Sequence, residues 1–208
     1  EYREGDVTDG RALDAAMPGH DAVLYLAMGG WNREDPFDTV AAAFDVNAKA
    51  VWLAARAAAE AGVPRFVYAS SLSVYEETFT QRLADEDGDA PDALTLYGLT
   101  KRFGEECVRR FAVRSQGKLS AFSLRLCFPL PTAADVAAKA AGGQDCGLTA
   151  DETTRAFHAA LTAPAPPPDG YAAVFVVGAR AAGRVNLARA KRLLGWGPDP
   201  VPGGGGGD

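Results

Sequence analysis

Apolar positions in this chain alternate between short solid runs and long alanine-rich stretches of helical period. Residues 21–27 are a short run rich in Val, Leu and Tyr between Pro18-Gly19 and Gly29-Gly30, which predicts a buried strand opening into a loop. Residues 36–61 carry Val40, Phe44, Val51 and Ala55 at helical spacing, with Asp35 and Asp38 near the start and Gly62 just past the end, and predict one long helix. A second buried strand follows over 65–70. Gly88 and Pro91 mark the acidic segment 85–92 as an exposed loop, and a second long helix runs over about 96–115.

Residues 119–126 and 172–177 read as a third and a fourth strand. Between them a helix opens at Thr149, where Glu152 three residues on makes a capping-box pattern and Phe157, Ala160 and Leu161 supply one apolar face. The proline-rich stretch 164–168 is a connector, 186–194 a last short helix, and the glycines 203–207 a flexible tail. Strands alternating with helices imply right-handed crossovers and a mainly parallel sheet covered on both faces: a doubly wound α/β fold.

Composition narrows the function classes. With 208 residues, 48% of them hydrophobic, the chain can bury one sizeable core. Its formal charge of −6, from 27 acidic and 21 basic residues spread along the chain, leaves no basic stripe for nucleic acid and no polybasic patch for a membrane. No apolar run reaches the roughly 18 residues of a membrane span, and the polar, acidic first residues are unlike an export signal. Cys107, Cys127 and Cys146 have neither close pairing nor ligand-like histidine spacing, so reduced thiols, no metal site and a cytoplasmic setting are expected. His20 and His158 lack partners at metal-ligand spacing and receive no role.

The chemistry centres on Tyr97 and Lys101, four apart near the start of the second long helix and so on one face of it. A phenol ordinarily loses its proton near about pH 10, and a neighbouring ammonium favours the tyrosinate. Ser70 and Ser71 end an apolar strand upstream, at the carboxyl edge where open α/β sheets bind ligands, and a hydroxyl there can hold a substrate oxygen. As isolated features, serines at a strand end are also common turn formers, and a lone Tyr-x-x-x-Lys is also an ordinary helix face. Asn47 lies on the apolar face of the first long helix, where its amide either satisfies a kinked backbone or relays protons to Lys101.

Taken in order, these residues resemble the extended short-chain dehydrogenase/reductases, the NAD-dependent epimerase/dehydratase family, from Gly5 to Pro198. Gly5-Asp6-Val7-Thr8-Asp9 resembles the stretch after the family's third strand, which meets the adenine, and 21–27 its fourth strand, whose Leu26-Ala27 end lies beside the cofactor. Asn47 matches the family's helix asparagine, Ser71 in Tyr-Ala-Ser-Ser-Leu-Ser-Val-Tyr its catalytic serine, and Tyr97 with Lys101 its Tyr-x-x-x-Lys. The resemblance implies that Tyr97 is the general acid/base, that Lys101 lowers its pKa and holds the nicotinamide ribose, that Ser71 orients the substrate oxygen and that Asn47 supports a proton relay.

The stretch Leu124-Arg125-Leu126-Cys127-Phe128-Pro129 is most similar to the uronate dehydrogenase group, although that group's polar pair after the catalytic serine is replaced by Leu72 and Ser73. Implied roles are therefore cofactor contact for Phe128, and substrate contact for Ser71, Ser73 and Arg125, with a sugar or sugar acid as substrate. The expected organisation is a partial NAD(P)-binding Rossmann-like domain over 1–130, a small substrate-side region over 131–200 and a tail over 201–208.

No Gly-x-x-Gly-x-x-Gly precedes Gly5. A protein missing its first strand, glycine turn and helix is expected, with weak dinucleotide binding and an exposed apolar edge on the 21–27 strand. NAD or NADP stays open, because the residue that meets the adenosine ribose ends a strand upstream of Gly5. Two alternatives to the sugar oxidoreductase remain: a nucleotide-sugar epimerase or dehydratase, for which 131–200 leaves little room, and a non-catalytic nucleotide-binding or regulatory module. The paired long helices resemble the elements through which the family forms homodimers.

Overall fold

The computed structural model describes residues 2–30, 36–76, 90–164, 169–181 and 183–201. The chain opens with α1 (Gly10–Ala16), capped by Asp9, whose carboxylate accepts from the N–H groups of Arg11 and Ala12 at 2.9 and 3.3 Å. Its two turns are too short for apolar periodicity to announce them. The first strand, β1, covers only Val23–Tyr25 of the expected 21–27, because the chain beyond it leaves the sheet toward the next helix.

The helix expected over 36–61 is continuous but not uniform. It runs as α2 (Pro36–Phe44), a π turn (Asp45–Lys49) and α3 (Ala50–Ala61), and Gly62 closes it in the left-handed conformation at φ 76°. A π turn inserts an extra residue and loosens the backbone ladder. Here the carbonyls of Val46 and Asn47 accept hydrogen bonds from the Tyr25 and Tyr68 hydroxyls at 2.7 and 3.4 Å.

Next come β2 (Arg65–Ser71), a single 3-10 turn (Leu72–Val74) and α4 (Leu96–Arg114), capped by Thr95, which accepts from Gly98 N–H at 3.2 Å. They are followed by β3 (Ser120–Leu126), β4 (Pro129–Leu130), α5 (Ala133–Ala141), β5 (Leu148–Thr149), α6 (Ala150–Thr162), β6 (Tyr171–Val176) and α7 (Ala188–Leu194). The Thr149–Glu152 capping box of α6 is present in both directions. The β4–β5 ladder and α5 between them were not expected; two-residue strands carry no readable period.

The main sheet is parallel throughout in the order β1-β2-β3-β6. Alternation along β2 sends Phe66 and Tyr68 to one face, against α3 and α4, and Val67 to the other, against α6 and α7. Helices on both faces make this the doubly wound α/β fold. The outer edge of β1 is apolar, with Leu24 39% exposed and Leu26 just beyond it 56% exposed. Among the described residues no helix is long and apolar enough to cross a membrane, and no three His, Cys, Asp or Glu side chains are grouped to hold a metal. Most of the acidic segment 85–92, the prolines 166–168 of the connector and the tail glycines lie outside the described residues.

Gly104 lets the π turn, β2 and α4 meet. A Cβ there would collide with the Tyr68 hydroxyl and with the Asn47 carbonyl. That close approach brings α4, and Tyr97 with Lys101 on it, up to the carboxyl end of β2.

Candidate active site

Parallel strands present their carboxyl ends on one side of the sheet, and helices that return above them frame a crevice. In this chain that crevice is a cleft of about 400 Å³. Its walls come from the chain after β1 (Leu26, Met28), the end of β2 (Ala69 to Ser73), α4 (Tyr97, Lys101), the chain after β3 (Leu126 to Pro129) and α6 (Thr153, Phe157).

Ser71 ends β2 in extended conformation and caps the 3-10 turn, its Oγ accepting from Ser73 N–H at 3.1 Å. The same side chain hydrogen-bonds Tyr97. One helical turn along, the Lys101 ammonium donates to the Ala69 carbonyl at 2.9 Å and lies 5.0 Å from the Tyr68 ring centre and 5.8 Å from that of Tyr97. Gly98 lets this helix start come close, since a Cβ would strike the Ser73 carbonyl. Serine, tyrosine and lysine therefore converge on one cleft from two elements.

Burial sets the electrostatics. It lowers the Lys101 ammonium to about 8, against the opposing pull of the Glu105 carboxylate. It raises Tyr97 above the ordinary phenol value, and the Ser71 hydrogen bond works the other way. The net shift of Tyr97 is thus upward rather than the expected depression, with removal of the phenol from water as its largest cause; the Lys101 ammonium, anchored on the Ala69 carbonyl, lies 5.8 Å from the ring centre.

The structure brings Leu26, Ser71, Ser73, Tyr97, Lys101 and Phe128 together on the cleft and leaves the other sequence candidates off its walls. Asp6 forms an exposed turn, accepting from the Thr8 N–H and hydroxyl at 2.8 and 2.9 Å, while Val7 and Ala27 pack against the core. Asn47 grips the Gly29 backbone at both its N–H and C=O and donates to the Thr100 hydroxyl; among the described residues these, and not Lys101, are its side-chain partners. Arg125 points from β3 to the opposite side of the sheet from Leu126. Its guanidinium is fully engaged there by Glu105 and Tyr75, so it is not available to a substrate in the cleft.

Sequence reasoning missed Met28, Leu72, Thr153 and Phe157. Thr153 and Phe157 stand four apart on α6, so they share a face, but only the fold shows that this face meets the cleft. Phe128 has φ +40°, a region that side-chain-bearing residues rarely occupy, and its ring carries the Lys139 ammonium at 4.3 Å. Leu26 and Met28 give the cleft an apolar lining, and Tyr97 and Lys101 bring polar groups to the same cleft, so these residues fit the nicotinamide and ribose end of a dinucleotide.

The sequence model of the NAD dependent epimerase/dehydratase family matches residues 1–130. The chain belongs to that family. Members of this NAD-dependent family are enzymes, and the fold agrees. MoeE5, solved in complex with UDP-glucuronic acid and NAD, superposes with a TM-score of 0.76 at 19% identity, over 96% of this chain and 80% of that one. Glucuronic acid dehydrogenase from Chromohalobacter salexigens gives 0.69 at 24% identity, over 95% and 68%. UDP-N-acetylglucosamine 4-epimerase from Bacillus cereus gives 0.73 at 19% identity, over 97% and 80%. At these identities the likeness speaks for the fold. No curated protein matched the chain in sequence.

Proposed function

We propose that this member of the NAD-dependent epimerase/dehydratase family is an NAD(P)-dependent oxidoreductase that acts on a sugar through Ser71, Tyr97 and Lys101. The observation that carries the reading is the Ser71–Tyr97 hydrogen bond at the mouth of the cleft, with Lys101 one helical turn away. Leu26, Met28 and Phe128 would hold the nicotinamide, which when bound would supply the hydride acceptor. Asp6 and Val7 are proposed to meet its adenine end, with Ala27 supporting the same loop.

Ser71 and Tyr97 hold the substrate oxygen between two hydroxyls. In the reducing direction Tyr97, kept protonated at neutral pH by its burial, donates to the forming alkoxide; in the oxidising direction its phenolate takes the alcohol proton. The Ser71 hydrogen bond favours that phenolate. Lys101 binds the ribose hydroxyls and steadies charge at Tyr97, and Asn47 acts by fixing the Gly29 loop that borders the site.

The cleft favours a neutral sugar over a sugar acid. Its only cation among the described residues is Lys101, which already faces the Ala69 carbonyl, and Arg125 is turned away. A homodimer through the outer faces of α2, α3 and α4 is part of the proposal. Val40, Phe44, Trp52, Phe103 and Val113 on these helices are each more than a third exposed, and the rings of Phe44 and Phe103 and of Trp52 and Phe111 pair between the two long helices. A cytoplasmic setting, expected from three cysteines with no close pairing along the sequence, is part of the proposal.

Incubation of the protein with NAD or NADP and a panel of free sugars and sugar acids tests the reading. Net formation of reduced nicotinamide supports it. Interconversion of a nucleotide sugar without net reduction would instead select an epimerase, and binding of nucleotide without turnover of any substrate a non-catalytic module.

A further inference from the structure

Between α4 and β3, on the α4 face of the sheet, lies a buried ionic cluster that the proposed chemistry does not use. Glu105 and Arg125 are both about nine-tenths or more buried and pair two-to-two, Arg125 Nε to Glu105 Oε1 at 3.0 Å and Nη2 to Oε2 at 2.8 Å. The remaining donor of that guanidinium, Nη1, reaches the Tyr75 hydroxyl at 2.6 Å, and Ser70 Oγ donates to Glu105 Oε1 at 2.6 Å. A pair taken out of water gains little net stability over apolar packing of the same shape, so its presence is not explained by stability alone.

Its position links it to the site. Glu105 follows Lys101 by four residues on the same face of α4. Ser70, held by Glu105, sits between Ala69, whose carbonyl takes the Lys101 ammonium, and Ser71, which bonds Tyr97. We propose that Glu105 is a positioning residue of the site: its carboxylate, clamped by Arg125 and Ser70 one helical turn from Lys101, is the counter-charge of that ammonium and holds the strand end that carries Ser71. This rests on the reading of Tyr97 and Lys101 as the reacting pair.

Other groups around Lys101 cannot take over that task. Tyr97 on α4 and Tyr68 on β2, whose rings face the Lys101 ammonium, are both kept protonated by burial. Among the described residues Glu105 is the one anion shown to act on Lys101. Removing it would leave the ammonium in a buried setting without the carboxylate that favours its charge.

The test is a carbon-13 NMR titration of lysine-labelled full chain, with the Lys101 signal identified by its loss in Lys101→Met. The wild-type midpoint is expected near 8. In Glu105→Gln it should fall by about one pH unit or more. The double variant Glu105→Gln/Arg125→Met, which removes the guanidinium together with its carboxylate and so guards against misfolding, should also titrate below wild type. Unmoved midpoints in both, with only a lower melting temperature, would overturn the proposal and make the cluster a strut between α4 and β3. Because this readout needs neither cofactor nor turnover, it stands apart from the oxidoreductase reading, which fails separately if Tyr97→Phe and wild type behave alike with every sugar.

Discussion

Asn47 holds both the N–H and the C=O of Gly29, at 3.1 and 3.0 Å, and places a further hydrogen bond on the Thr100 hydroxyl at 3.2 Å. One side chain thereby ties the loop after β1 to α4. Asn47→Ala strands two backbone groups of Gly29 beside a fully buried position, and the loss expected is about 2–3 kcal/mol. Urea unfolding checks it; an unchanged midpoint contradicts the clamp.

Lys101 gives a pH-dependent prediction. Its folded pKa of about 8 lies below the value of about 10.4 for a free lysine, so between those values the unfolded chain binds the extra proton. Stability therefore rises with pH across that window, and below it the cost of the buried ammonium is fully present. Lys101→Met should be the more stable protein at neutral pH, by on the order of 3 kcal/mol, and the difference should shrink as pH is raised toward 10 or so. Melting temperatures of the two proteins across the alkaline range decide it; a constant difference would contradict the assignment.

Gly104 faces the Tyr68 hydroxyl and the Asn47 carbonyl with no room for a Cβ. Gly104→Ala is expected to destabilise by about 2–3 kcal/mol through overpacking. Adding Tyr68→Phe removes the nearer obstacle, so the double variant should recover part of that loss. A double variant no better than the single would place the strain elsewhere.

Sedimentation velocity addresses the proposed pairing of chains. Phe103 is 46% exposed on the proposed face, and its ring pairs with that of Phe44. Phe103→Glu should convert a dimer to monomer at micromolar concentration without lowering the melting temperature of the monomer. A wild-type monomer, or a variant that still pairs through this face, would contradict the proposal.

Much of the fold was legible because long amphipathic helices and buried strands have strong periods. The apolar run 65–70 and β2 agree to one residue, and Thr149 with Glu152 marks the start of α6 correctly. What escaped was short or tertiary. The helix α1 and the β4–β5 ladder are too brief for a pattern, and the π turn at Asn47 differs from its flanking helices by hydrogen bonding that no residue type announces. Ser71, Tyr97 and Lys101 could be singled out from spacing and strand-end position. Arg125 could not be placed, since a charged residue in an apolar strand reads alike whether it faces a substrate or a buried carboxylate on the preceding helix. Glu105 lay unnoticed for the same reason.

The central claim is that Tyr97 moves the proton of a nicotinamide-dependent reaction. It is tested most directly by comparing wild type and Tyr97→Phe with a sugar that wild type turns over, measuring both kcat and nicotinamide dinucleotide affinity. The account predicts a fall in kcat of at least about a hundredfold with affinity nearly unchanged, because Lys101 and the Leu26–Met28 lining remain. Equal kcat in the two proteins would contradict it.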